Sequence, residues 1–244
     1  MRLLVESPNF YAKIAGSSYL LIIILGAVGY LAIRNPLIVY GDAALTANNI
    51  LLAESLWRLS ITGDVLMHAL DIPVMIILFC LLKPVSTPLA VASVAFNLVQ
   101  TAVLVANKLV LLLPLLLLKN EHYIEVFGIE QVHAQVMLLA DLHDYGFGLG
   151  LIFFGLACMG YGLLIFKARY LPTFLGVLMM IAGASYLINS LALLMAPSVE
   201  VFPILVLSVL GELTLALWLL FKGVDTEKWT RALRGEHSCP LHNA

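Results

Sequence analysis

The chain has 244 residues, of which 62% are hydrophobic and 11% are charged, with a net charge of −2 and a mean hydropathy of +1.02. Soluble domains carry about 25% charged residues to keep their surface hydrated, so this composition excludes a water-soluble globular protein. The near-neutral charge argues against nucleic acid as a partner. The hydrophobic stretches predict an all-α fold, a polytopic transmembrane helical bundle in a single domain over residues 1–244, with the lipid bilayer as its environment.

Six apolar windows are long enough to cross about 30 Å of hydrocarbon. They cover residues 11–33, 61–82, 87–109, 146–166, 171–196 and 202–221. The first window follows two cations, as a signal peptide does, but its length and the absence of a small-x-small cleavage site favour a retained anchor. Pro-containing turns at 83–88 and 167–172 predict antiparallel hairpins between spans two and three and between spans four and five.

The distribution of Lys and Arg predicts the orientation of the spans. Three cations lie in the loops of one side, and nine lie on the other side: Arg2, Lys13, Lys83, Lys167, Arg169, Lys222, Lys228, Arg231 and Arg234. Both termini are therefore expected in the cytoplasm of a bacterium, with the protein in its inner membrane and a cytoplasmic tail over about residues 223–244.

Spans two and four are expected to be extended on the outer side. Thr46 is placed to cap a helix that runs into span two, and Glu54 and Arg58 follow at a spacing that allows an ion pair on one helix face. Residues 128–142 predict a helical entry to span four.

Ionisable residues inside the spans give the strongest functional signal. A charge at the bilayer centre costs about 3 kcal/mol, so such residues are retained only where a compensating group exists. Asp64, His68 and Asp71 in span two share one helix face and descend to about 16 Å from the outer edge. Pro73 follows directly and weakens the helix backbone there.

Further polar residues fall at similar depths in other spans. They are Asn97 and Gln100 in span three, Asp141 and Asp144 at the start of span four, and Glu212 near the middle of span six. Together with the three residues of span two they predict a polar cavity that opens to the outer side and binds a small ligand, a proton or an ion. His68, Asp64, Asp71 and Asp141 are the candidate metal ligands among them.

Glycines at every seventh position mark one face of span four. Gly148, Gly155 and Gly162 form a stripe along which a neighbouring helix can approach, within the chain or in an oligomer. Asp141 lies on the same stripe and is expected to face protein, whereas His143 is turned away by roughly 160–200°. Lys108, near the outer end of span three, is expected to extend to the headgroups.

Residues 14–20 and 181–187 share the pattern IAG-S/A-SYL, which hints at an internal repeat. The segments are short and sit at different depths of their spans. Helix packing through small residues explains the pattern as well as duplication does.

Several motifs occur at residues 146–155, 160–161, 171–178 and 182–186, and others at residues 42–50, in the turn at 81–85, and at residues 211–212 and 218–223. Together these motifs resemble a bacterial membrane family known only as domain of unknown function 4386. Asn97 stands where this resemblance leads us to expect an arginine. The resemblance implies a multi-span helical fold and no established activity.

Three classes of function fit these residues. One is a transporter-like or binding protein in which the carboxylates and His68 exchange protons as a small solute or ion binds near the midplane. Another is a membrane-embedded metal-dependent enzyme that acts on a lipid-borne substrate. The third is a non-catalytic membrane subunit or sensor. The mid-depth carboxylates favour the first class, and the residues leave the cofactor and the enzymatic status open.

Overall fold

The computed structural model describes residues 7–196 and 204–234, which form nine helices and no strand. In chain order the helices are α1 (Pro8–Leu37), α2 (Ala43–Leu52), α3 (Glu54–Leu82), α4 (Thr87–Leu118), α5 (Glu121–Phe127), α6 (Ile129–Lys167), α7 (Thr173–Met195), α8 (Leu205–Phe221) and α9 (Thr226–Leu233). The predicted all-α polytopic bundle is confirmed. Residues 202–203 of the predicted sixth span, and residues 235–244 of the predicted tail, lie outside the described part.

Five helices are long and apolar enough to cross a membrane: α1, α3, α4, α6 and α7. Helix α8 has 17 residues and meets α9 at an angle of 98°, and the two count as a sixth span only when they are taken together. Large apolar side chains such as Leu66, Leu98 and Leu109 are exposed on the outer faces, as lipid contact requires. The protein is an integral, multi-pass membrane protein.

The predicted helical segment before span two is interrupted. Asp42, not Thr46, caps α2, because its side chain accepts a hydrogen bond from the Leu45 amide. The Thr46 hydroxyl lies inside the helix and bonds to the backbone of Val39. A break at Ala53 then separates α2 from α3. The predicted extension of spans two and four is present, since α3 begins at Glu54 and α6 at Ile129.

The two predicted hairpins meet at one end of the bundle, which we call the hairpin end. The turns between α3 and α4 and between α6 and α7 lie together here, because the Tyr170 hydroxyl donates a 2.7 Å hydrogen bond to the Leu81 carbonyl oxygen. The indole of Trp229 on α9 donates to the same oxygen at 3.0 Å. Helix α9 therefore closes the hairpin end rather than forming a free tail. The opposite end carries α2 and α5 and is called the α2 end.

Two apolar cores fill the bundle, one at each end. The core at the hairpin end includes Leu78, Leu81, Leu164, Leu175 and Leu219. A smaller core at the α2 end joins four helices through Ile50, Trp57, Leu115 and Val136. On α3 and α4 the buried residues between these cores are largely polar, and α6 adds His143. The fold thus confines the polar residues to a zone in the middle of the bundle.

The glycine stripe of span four packs against a helix of the same chain. A Cβ atom added at Gly155 would lie 2.8 Å from the Gly183 carbonyl oxygen, and one at Gly162 would lie 2.8 Å from that of Gly176. Both partners belong to α7, so the stripe is not available to a second copy of the chain. Asp141 is exposed, which corrects the expectation that the stripe would direct it toward protein.

Candidate ligand-binding cavity

A cavity of ≈ 610 Å³ extends from the polar zone to the core at the hairpin end, since Leu78, Cys158 and Met179 line it. This volume is within the range of about 300–1,000 Å³ that is typical of small-molecule sites. Seven of the predicted site residues line it: Asp64, His68, Asp71, Asn97, Gln100, Asp144 and Glu212. The eighth, Asp141, does not line it. The cavity walls come from α1, α3, α4, α6, α7 and α8, so residues far apart in sequence meet here.

An ion cluster of three side chains lies near the α2 end of the cavity. Arg34 Nη1 and Lys108 Nζ each lie 2.8 Å from the same oxygen, Asp64 Oδ2. The three side chains expose only 7%, 5% and 1% of their surface for Arg34, Lys108 and Asp64 respectively. Two buried cations therefore share a single carboxylate. We refer to these residues as the Arg34–Asp64–Lys108 cluster.

Helix α1 reaches this cluster through an unusual backbone. Residues Val28–Arg34 are π-helical, a conformation that is rare overall and frequent at functional sites. Gly29 in this segment lets α1 approach α3 closely, since a Cβ there would lie 3.1 Å from Asp64 Oδ1 and 3.5 Å from Arg34 Nη1. The widened turn ends at Arg34 and leaves that side chain buried in the cavity wall.

Lys108 and His143 correct two expectations about side-chain direction. Lys108 does not extend to the headgroups, because it is 4% exposed and binds Asp64. His143 is not turned away from the site; it is 6% exposed, lines the cavity and places Nε2 3.5 Å from Lys108 Nζ. The Asn107 side-chain amide donates a 2.8 Å hydrogen bond to the His143 carbonyl oxygen and so fastens α4 to α6 at this level.

Asp144 marks the more exposed edge of the cavity, with 42% of its side chain accessible. Its Oδ2 accepts a 2.9 Å hydrogen bond from the Tyr40 hydroxyl, and its Oδ1 lies 3.5 Å from His143 Nδ1. Burial and the neighbouring Asp144 carboxylate raise the pKa of the Tyr40 hydroxyl above its ordinary value. Tyr40 therefore remains a hydrogen-bond donor to Asp144 throughout the physiological pH range.

The middle of the cavity holds His68 and Asp71, one helical turn apart on α3. His68 Nδ1 lies 3.2 Å from Asp71 Oδ2, and the Thr101 hydroxyl approaches the same oxygen at 3.4 Å. His68 Nε2 is fully buried and has no hydrogen-bond partner within the described residues, and the same holds for Asn97 Oδ1. Both residues line the cavity, where a ligand or water can satisfy these atoms.

Glu212 occupies a separate part of the cavity, against the core at the hairpin end. Tyr19 on α1 donates a 3.0 Å hydrogen bond to Glu212 Oε2, and Tyr186 on α7 donates to Oε1. Each carboxylate oxygen thus has its own tyrosine partner. This arrangement compensates an acidic group that would otherwise be costly in the membrane interior.

The described residues contain no group of three or more His, Cys, Asp or Glu side chains that could hold a metal ion. The candidate ligands are separated, since Asp141 is exposed and Asp64 is occupied by Arg34 and Lys108. Two cations at 2.8 Å would repel a divalent metal from Asp64. The geometry therefore suits an organic or anionic ligand better than a metal.

The cavity residues that the sequence did not single out as site residues include Arg34, Lys108, His143, Tyr19 and Tyr186. An intramembrane cation is a functional candidate by default, and this rule identifies Lys108. Arg34 could be counted only as a loop residue, because the π-helical segment that buries it leaves no mark in the hydrophobic pattern. The two tyrosines occupy equivalent positions in the IAG-S/A-SYL segments, which is the signal that could have revealed them.

A family model described as "Domain of unknown function (DUF4386)" matches residues 14–223. The chain belongs to the DUF4386 family. An uncharacterised protein of Archaeoglobus fulgidus is 29% identical over 164 residues, which cover 67% of this chain and 83% of that protein. No solved structure matches the chain. The predicted family membership of this DUF4386 protein is confirmed. Because this relative is archaeal, the location of the chain in a bacterial inner membrane stays a prediction.

Proposed function

We propose that this DUF4386 protein binds a small molecule in the cavity and acts as a transporter-like or binding protein of the membrane, with the cavity opening at the α2 end. The observation that carries the proposal is the cavity itself, a pocket of small-molecule size whose largely apolar wall carries the ionisable side chains of Asp64, His68 and Glu212. Unpartnered buried atoms such as His68 Nε2 support it, since buried polar groups without a partner are rare in native proteins.

The placement of the ionisable groups favours binding over structural use. A polar network that only fixes helix register is satisfied internally, as at Asn107, whose side chain bonds to the His143 backbone. The cavity residues instead face an open volume. The separate Glu212 position supplies a second ionisable element that can take up or release a proton as the ligand binds.

A cavity-filling variant tests this proposal. Val74 lines the cavity and is 5% exposed, so Val74→Phe places a ring in the binding volume. Val91 on α4 is 52% exposed and lies outside the cavity wall, so Val91→Phe is the matched control. Small molecules that are retained through purification would be extracted and identified by mass spectrometry.

We expect a molecule that co-purifies with the wild type and Val91→Phe and is depleted from Val74→Phe. Equal retention by all three folded proteins, or retention by none, would contradict a ligand-binding cavity. Thermal melting of each variant establishes that it is folded.

A further inference from the structure

We propose that the ligand is an amphiphile with an anionic head group, which binds Arg34 and Lys108 while its apolar body occupies the rest of the cavity. This inference rests on the proposed function, because it names the chemical class that the cavity takes. It is carried by the charges of the Arg34–Asp64–Lys108 cluster, by the free donors of Arg34 and by the apolar walls beyond them.

The charge of the cluster is unbalanced. Arg34 and Lys108 carry two positive charges, and Asp64 supplies one negative charge. The next carboxylate toward the exposed edge, Asp144, bonds to Tyr40 and is separated from Lys108 by the His143 ring. An excess buried positive charge is costly in a membrane protein, so an additional anion at this point is favourable.

Arg34 retains hydrogen-bonding capacity. A guanidinium group has five N–H donors in a planar fork, and the 2.8 Å contact with Asp64 involves one nitrogen, Nη1. Nε of Arg34 is buried and has no hydrogen-bond partner in the part of the chain that the structure describes. Carboxylate, phosphate and sulfonate groups match the fork geometry of arginine, so each of them can use these donors.

Beyond the polar side chains in its middle, the cavity is lined largely by apolar side chains. Ile23, Val74, Leu78, Leu104, Leu151 and Phe154 contribute to the wall. A free inorganic anion would leave these surfaces in contact with water, whereas an alkyl or aromatic body would bury them at a gain of about 25 cal/mol per Å². The combination of a cationic end and apolar walls therefore favours an amphiphile.

Asp64 acts as the internal competitor of the ligand. It holds both cations when no ligand is bound, and the head group must share them with it. Two substitutions should therefore change the affinity for an anion in opposite directions. Removal of the Asp64 charge frees the cations and strengthens anion binding, whereas removal of the Arg34 charge weakens anion binding. A purely structural role of the cluster would not produce opposite changes in affinity.

The first experiment uses the wild-type protein in phosphatidylcholine nanodiscs. Decanesulfonate serves as the anionic probe, decanol as its neutral counterpart, decyltrimethylammonium as its cationic counterpart and methanesulfonate as the isolated head group. Affinity is obtained from the rise in melting temperature with probe concentration. We expect decanesulfonate to bind at least about tenfold more tightly than each other probe, because charge-assisted hydrogen bonds are strong in a buried site.

The second experiment compares Asp64→Asn and Arg34→Gln with the wild type. We expect about tenfold tighter binding of decanesulfonate by Asp64→Asn and about tenfold weaker binding by Arg34→Gln. Equal changes in both variants would overturn the proposal. If either variant fails to fold, the comparison of probes on the wild type still decides it.

The outcomes separate this inference from the proposed function. One outcome is that decanol or decyltrimethylammonium binds as tightly as decanesulfonate and loses this binding in Val74→Phe. That result would support a ligand-binding cavity and contradict the proposal that the ligand has an anionic head group. Binding of methanesulfonate as tight as that of decanesulfonate would overturn the amphiphile in favour of a small free anion. Absence of binding by every probe would overturn this inference, while the co-purified molecules of the preceding experiment would still test the cavity.

Discussion

Tyr19 and Tyr186 bind opposite oxygens of one carboxylate, that of Glu212, from helices on either side of α8. They are the sixth residues of the two IAG-S/A-SYL segments, at 14–20 and 181–187. The glycines of these segments also serve close packing, since Gly16 contacts the α8 backbone and Gly183 contacts Gly155. The repeated pattern thus has a shared structural outcome, which is a closely packed helix that directs a tyrosine to the cavity.

We predict that the loss of either tyrosine hydroxyl destabilises the protein. Tyr19→Phe leaves Glu212 Oε2 without its partner, and the buried oxygen then costs about 1–3 kcal/mol in the free energy of unfolding. Tyr11→Phe is a suitable control, because Tyr11 is only partly buried and is not part of the cavity wall. Thermal and chemical unfolding in the same detergent would measure the difference, and equal stabilities would show that the hydrogen bond contributes nothing.

A second prediction concerns proton exchange at Glu212. Tyr19, Tyr186, Asp71 on α3 and the Cys158 thiol on α6 are the titratable groups that interact with it. Glu212→Gln keeps the shape and hydrogen-bonding capacity of the side chain, so we expect nearly unchanged thermal stability. Because an amide cannot ionise, we also expect the pH dependence of ligand binding to disappear.

The measurement is binding of decanesulfonate between about pH 5 and 8, a range in which the charge of a sulfonate is constant. An unchanged pH profile in Glu212→Gln would place the titrating group elsewhere, and His68 would be the next residue to substitute. His68→Gln is then the matched variant, because His68 lies in the middle of the cavity and its buried Nε2 has no hydrogen-bond partner within the described residues.

The sequence allowed the bundle and seven residues of the cavity wall to be predicted, because both follow from helix geometry. Apolar windows define the spans, and the spacing of Asp64, His68 and Asp71 places them on one face whatever the neighbouring helices do. The depth of Asn97 and Gln100 in their span then brings them to the middle of the bundle, and that of Glu212 brings it to the same cavity.

What could not be predicted depends on how the helices are rotated and where their backbone departs from α-helical geometry. The glycine stripe identified a packed face of span four but not its partner. That partner is α7, so the cavity lies on a different face, which includes His143 and leaves Asp141 exposed. Arg34 enters the cavity through a π-helical segment, a local change that residue periodicity does not indicate.

The membrane orientation is open to a direct test. The nine cations at the hairpin end and termini predict that both termini are cytoplasmic and that the α2 end faces outward. A reporter that is active only in the cytoplasm should be active when it is fused after Ala244, and a cysteine at Tyr40 should react with an impermeant thiol reagent from outside. The opposite pattern of activity and labelling would reverse the proposed opening of the cavity.

A fourth prediction uses two glycines in different surroundings. Gly155 lies against the α7 backbone, so Gly155→Ala forces α6 and α7 apart and should destabilise the protein by about 1–3 kcal/mol. Gly63 on α3 has nothing within 4 Å of an added Cβ atom, so Gly63→Ala should stabilise α3 by about 0.5–1 kcal/mol. Unfolding measurements on both variants would check the predicted difference in sign.

The last prediction concerns the stability of the Arg34–Asp64–Lys108 cluster. Asp64→Asn leaves two buried cations without a counter-charge, and removal of one partner from a buried ion pair costs about 3–5 kcal/mol. Lys108→Met instead leaves Arg34 and Asp64 as a balanced pair and replaces a buried ammonium group with an apolar side chain. We therefore expect Lys108→Met to change the free energy of unfolding by only about 1 kcal/mol. A larger loss of stability in Lys108→Met than in Asp64→Asn would show that the charge of the cluster does not control stability.

The double variant completes this comparison, because Asp64→Asn with Lys108→Met leaves a single cation, Arg34. If charge balance controls stability, the double variant should be more stable than Asp64→Asn alone, since one of the two uncompensated charges has been removed. Unfolding by heat in detergent, monitored by tryptophan fluorescence at matched protein concentration, measures all three variants. Additive losses would show that the two side chains contribute independently. Recovery in the double variant would show that the Lys108 charge destabilises the fold once Asp64 is neutral, as expected of a buried cation that has lost its counter-charge.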